Sequence, residues 1–138
     1  MTTETRRFFD RYHAQWEARD PDRIAALHTE DSLFHLHLDQ PPARGRAAIR
    51  AAAADTFALI PDLTFTLISL RTGADFWVTQ FKLTGTAVAT GALMDVDLAD
   101  FVLVQDGAVQ EKHSYVDGLA MLAALPVPAA APVDGPVS

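Results

Sequence analysis

The chain has 138 residues, 49% of them hydrophobic and 21% charged, which is the composition of a folded domain and not of a disordered chain. Its formal net charge of −7 leaves no basic face for nucleic acid or for an anionic membrane surface. The absence of cysteine excludes disulfides, thiolate catalysis and Cys-ligated metal, and no apolar run is long enough to span a bilayer.

Thr2 or Thr3 can cap a first helix of about 16 residues, in which Phe8, Tyr12 and Trp16 recur at four-residue spacing. Residues 1–10 contain no apolar stretch of the signal-peptide kind, so a cytoplasmic address is expected. Asp20-Pro21-Asp22 restarts the chain as a short second helix: an N-cap, a proline at the first position and an acid at the positive end of the dipole. Residues 32–38 alternate as a strand, with Leu33, His35 and His37 on one face and Phe34, Leu36 and Leu38 on the other. Gly45 opens a third helix that runs to about Leu59, with Ile49, Ala53, Phe57 and Ile60 as its apolar seam.

From Leu63 the period changes to two, and strands are predicted near 63–71, 75–86, 94–105 and 108–116. Thr72-Gly73-Ala74-Asp75 and Gln105-Asp106-Gly107 are turns, and Gly85 and Gly91 mark a bend, bulge or loop. A last short helix covers 119–125, and the Pro/Ala-rich residues 126–138 read as a tail. One domain over residues 1–125 is therefore expected. Helices that precede a meander of strands indicate an α+β fold: three N-terminal helices on a curved, mostly antiparallel sheet of five to six strands, enclosing a pocket.

Asp100 is the most informative residue. It is the one acid on the stripe Val96, Leu98, Asp100, Val102, Val104, and a carboxylate on an apolar face must find a partner or stay neutral. Its neighbours depend on the hairpin. A three-residue loop, 105–107, places Lys112, Ser114 and Val116 on its face. A two-residue loop, Asp106-Gly107, places Glu111, His113 and Tyr115 there instead. His35 and His37 share a strand face and are candidates for acid–base work, while a metal would need a third ligand such as Asp39.

Three segments resemble one family. They are Gln40-Pro41-Pro42-Ala43-Arg44-Gly45-Arg46-Ala47-Ala48-Ile49, Asp100-Phe101-Val102-Leu103-Val104 with Asp106-Gly107, and His113-Ser114-Tyr115-Val116-Asp117. From Arg6 to about Leu125 the chain resembles the nuclear transport factor 2-like superfamily, and within it the SnoaL-like polyketide cyclases and bacterial ketosteroid isomerases. The resemblance implies a cone-shaped fold, with Tyr12 and Asp100 at the positions of the isomerases' two oxyanion donors. Their general-base aspartate falls on Leu36, and the cyclases' catalytic aspartate falls on Ser114. These departures leave His35, His37 or Asp39 to supply a base.

The resulting expectation is a pocket protein for a small apolar carbonyl or enol compound, working by proton transfer without metal or organic cofactor. Tyr12 and Asp100 would anchor the ligand, His35 or His37 would act as base, and Trp16, Phe57, Lys112, Ser114 and Val116 would line the site. A non-catalytic binding protein, or an interaction module, is the alternative on the same fold. A homodimer through the sheet face carrying Phe101 and Leu103 is expected, with no nucleic-acid or membrane partner.

Overall fold

The computed structural model describes residues 2–125, so the expected tail at 126–138 lies outside the described residues. Helix α1 (Thr2–Glu17) buries Phe8, Tyr12 and Trp16 as its four-residue spacing predicts. Each such ring taken from water contributes about 1.5–3 kcal/mol. Helix α2 (Pro21–Ala26) begins where Asp20 accepts a hydrogen bond from the Arg23 amide at 3.1 Å. Helix α3 (Arg46–Leu59) starts after Gly45, whose φ of 85° and ψ of 160° suit glycine almost alone. Its Ala53 is fully buried, so the absence of a large side chain lets this helix lie close on its neighbours. Helix α4 (Gly118–Ala124) is capped by the Asp117 carboxylate, which accepts from the Ala120 amide at 3.2 Å.

Six strands form one curved sheet in the order β2-β1-β6-β5-β4-β3. They are β1 (His28–His37), β2 (Ala43–Arg44), β3 (Thr64–Thr72), β4 (Phe76–Thr86), β5 (Leu93–Gln105) and β6 (Ala108–Val116). Every ladder is antiparallel except β1–β6. The first strand is longer than the 32–38 expected, beginning at His28 with an irregular step before Leu33. The two-residue β2, paired at Leu33 and Phe34, carries no period that a sequence could reveal. Gly85 lies within β4, where an added Cβ would come 2.4 Å from Ile60. Ile60, Asp62 and Leu63 of the turn after α3 pack against this point of β4, and the glycine makes room for them.

The β5–β6 hairpin combines the two registers that the sequence leaves open. Gln105 pairs with Ala108 across a two-residue turn in which Asp106 and Gly107 both have positive φ, 53° and 73°. The ladder then shifts: Val104 faces Val109, but Leu103 faces Glu111, and Gln110 is the extra residue of a bulge. Beyond the bulge Val102 pairs with Lys112 and Asp100 with Ser114. The turn is thus that of the second register, and the inward face beyond it is that of the first. The face with Val96, Leu98 and Val102 is buried beneath the helices. The opposite face carries Phe101, His113 and Tyr115, and leaves Phe101 and Tyr115 exposed.

Candidate functional site

β5 and β6 bring three polar side chains together on the otherwise apolar inner face. The Ser114 hydroxyl donates to Asp100 Oδ1 at 2.6 Å, in the range of a hydrogen bond to a charged carboxylate. Lys112 Nζ lies 3.9 Å from Asp100 Oδ2. Lys112 is only 6% exposed, and aromatic faces surround its ammonium: the ring centres of Trp16, Tyr12 and Phe34 lie 4.2, 5.1 and 5.3 Å away. Rings of this kind offset part of the lost hydration of a cation. The ammonium and the Ser114 hydroxyl are thus the polar partners of Asp100, at the position where the resemblance implied a proton donor.

The role of Tyr12 is corrected by the direction of a hydrogen-bond chain. The Ser32 hydroxyl donates to the Gln110 carbonyl at 3.0 Å, and a carbonyl can only accept. Ser32 Oγ must therefore accept from His28 Nδ1, 2.9 Å away. With its proton on Nδ1, His28 accepts at Nε2, and the Tyr12 hydroxyl, 2.9 Å away, is its donor. Tyr12 has spent its proton on His28, and its oxygen accepts from Lys112 Nζ at 3.5 Å. It has no proton to offer a ligand oxyanion. Burial raises the Tyr12 phenol above its ordinary value, against the opposing pull of Lys112. Burial likewise lowers His28 to about 3, with Lys112 and Arg46 adding to the effect, so this imidazole is neutral at physiological pH. From its position in the sequence His28 is only one of four separated histidines open to a metal, and nothing there ties it to Tyr12. Its partner lies 16 residues away, and only the fold shows the pairing.

Above this floor lies a cavity of about 340 Å³, within the range of small-molecule sites. Asp100, Lys112 and Ser114 line it together with Trp16 and Val116, and Leu36 faces it from β1. Further apolar wall comes from Phe34, Phe65, Leu98 and Met121. A second, smaller space of about 20 Å³, roughly one water molecule in size, lies between Tyr12, Trp16, Asp100 and Lys112. Phe57 is not among the residues lining the cavity; it packs against Trp16 at 5.4 Å and supports that wall from behind.

His35 and His37 do not reach the cavity, which corrects their candidacy as its base. Leu36 faces inward, so period-two alternation turns both imidazoles to the outer face of the sheet. There they meet His113, which stands opposite His35 in the parallel β1–β6 ladder. His37 lies 2.9 Å from His113 and stacks on Tyr115 at 4.2 Å. Desolvation, and then the neighbouring His35 and His113, hold His37 below its ordinary value.

A model of the SnoaL-like domain matches residues 9–112. A search of curated proteins gives no significant match. Solved structures give many. A candidate SnoaL-like polyketide cyclase from Jannaschia sp. CCS1 is 20% identical, with a TM-score of 0.82 over 94% of this chain and 96% of that one. A protein with a ketosteroid isomerase-like fold from Catenulispora acidiphila DSM 44928, crystallised with trimethylamine, is 19% identical. Its TM-score is 0.78, over 86% of this chain and 93% of that one. A candidate isomerase from Bacillus subtilis is 19% identical, with a TM-score of 0.77 over 88% and 92%. At these identities the likeness is one of fold.

Proposed function

Since the chain belongs to the SnoaL-like domain family, a group of pocket proteins in the isomerase and cyclase superfamily, we propose that its cavity binds a small, mainly apolar carbonyl compound and moves a proton at the carbon beside the carbonyl. One observation carries this reading: a carboxylate and an ammonium stand side by side at the floor of an apolar cavity without closing on each other. At 3.9 Å the pair is longer than a charge-assisted hydrogen bond, so both groups keep bonding capacity for a ligand.

Asp100 Oδ2 would take the proton, and the electron pair of the broken C–H bond would pass to the carbonyl oxygen. The Lys112 ammonium would meet the negative charge that develops there. With a double bond one carbon further along, the protonated Asp100 would then return its proton at the far end of the conjugated system, giving an isomer. Alternatively, the enolate carbon would close on a second carbonyl of the same molecule, whose oxygen takes the proton back from Asp100, giving a ring. Ser114 steadies the carboxylate, and Tyr12 steadies the ammonium through its accepting oxygen. Leu36 on the cavity wall, where the isomerases' base would sit, favours the alternative of binding without turnover.

Hydrogen–deuterium exchange of enolisable cyclic ketones, followed by NMR in D₂O, separates the two. The wild-type chain should exchange the proton beside the carbonyl, and Asp100→Asn and Lys112→Met should each lose about 10²–10⁴-fold. Full exchange by Asp100→Asn would remove the assigned base. Ketones that bind by thermal shift and do not exchange would make the protein a binding module.

A further inference from the structure

We propose that His35, His37 and His113 form a binding site for a divalent transition-metal ion, zinc in the first instance, on the outer face of the sheet. His35 and His37 alternate to one side of β1, and His113 is the residue opposite His35 on β6. Each offers a ring nitrogen, and the three nitrogens lie within 4.8 Å of one another. A tetrahedral zinc with bonds of 2.0–2.1 Å needs its ligand nitrogens about 3.3–3.4 Å apart. The rings would reach that spacing by rotating as the ion binds.

The groups around the three rings support the same conclusion. His35 Nε2 lies 2.9 Å from the Gln40 carbonyl, which can only accept, so His35 carries its proton on Nε2 and its lone pair on Nδ1. His113 Nε2 lies 3.0 Å from the Glu111 carboxylate, which places its lone pair on Nδ1 in the same way. A carbonyl or carboxylate behind a ligating imidazole is the usual outer arrangement of a metal site, because it fixes tautomer and ring orientation. His37 Nε2 and His113 Nδ1 share a hydrogen bond of 2.9 Å, so an ion would take the place of the shared proton and the two nitrogens would move apart slightly to receive it. To bind metal there, His37 moves its proton to Nδ1. The Tyr115 ring stacked on it at 4.2 Å limits its swing. Three neutral imidazoles suit zinc, nickel or copper(II), and not magnesium or calcium, which prefer oxygen. Three protein ligands leave the fourth position of a tetrahedral ion for a non-protein ligand. The site lies across the sheet from the cavity and is independent of the reaction proposed there.

The test uses the full chain without a polyhistidine tag, titrated with zinc by calorimetry. The expected result is one ion per chain at micromolar affinity or tighter, with at least a 100-fold loss in His37→Ala and in His113→Ala. Glu111→Gln, which changes a positioning residue, should lose about 10–100-fold. Cobalt(II) in place of zinc should give the intense visible bands of a tetrahedral ion. If a substitution disturbs the sheet, the imidazole ¹⁵N spectrum of the wild-type chain reads the ligating nitrogens directly. It should show zinc on Nδ1 of His35 and His113 and on Nε2 of His37. Absent or millimolar binding, binding that survives both alanine variants, or an octahedral cobalt spectrum would overturn the site.

Discussion

Lys112 tolerates 6% exposure because a carboxylate and three aromatic faces surround it. A buried pair of this kind is weak evidence for stability but costly to break on one side. Lys112→Met should cost about 3–5 kcal/mol in urea unfolding, because it leaves Asp100 inside with Ser114 as its sole remaining partner of the two. Lys112→Met with Asp100→Leu should recover most of that loss while abolishing ketone exchange. A double variant as unstable as the sum of the two singles would contradict this account of the pair. Much of the site was legible at this scale: alternation alone places Asp100, and one of its two registers brings Lys112, Ser114 and Val116 beside it. What alternation cannot show is the direction of a proton. The orientation of Tyr12 follows from His28, Ser32 and a backbone carbonyl, and those partners come from two strands remote from it in the chain.

The helices and long strands follow from caps, turns and period, and their ends shift by only a residue or a few. β2 and the Gln110 bulge were hidden because each rests on backbone pairing with a remote strand. His35 and His37 were correctly placed on one face, but a strand's own pattern of Leu, Phe and His does not say which face turns inward. That was settled by the helices packed on the other side. Gly45 is where a single atom should matter most to an element. Its φ of 85° and ψ of 160° are open to glycine, and its amide donates to the Ser32 carbonyl at 2.8 Å just before α3 begins. An added Cβ would meet nothing closer than the Glu30 carbonyl at 3.6 Å, so the cost is one of backbone conformation and not of collision. Gly45→Ala should lower stability by about 1–3 kcal/mol, measured as a fall in the urea midpoint at unchanged m-value. No change would mean that α3 begins elsewhere in solution.

For the molecule as a whole, the buried imidazole sets an acid limit. Above about pH 6.5 His28 is neutral in both folded and unfolded chains and adds no pH dependence. As pH falls from 6.5 towards 3, the unfolded chain takes up a proton that the folded chain refuses. Stability therefore declines, with a slope approaching about 1.4 kcal/mol per pH unit from this residue. Burial lowers His13 in the same direction, so His28→Gln should remove a large part of the slope and not all of it. Urea midpoints at pH 7, 5.5 and 4.5 for both chains check this; parallel curves would clear His28 of the effect.

Gln110 unites two of these scales. Its carbonyl ends the chain that orients Tyr12, and its extra place in β6 decides that Lys112 and not His113 faces the cavity. The carbonyl and the extra place belong to the backbone; among the described residues the side chain adds an oxygen 3.2 Å from the Thr29 hydroxyl, which Asp31 also faces at 3.0 Å. What descent must preserve at this position is therefore a count of residues, not a kind of residue. A tally of amino acids found there across relatives would look permissive, while the gaps around it would carry the constraint.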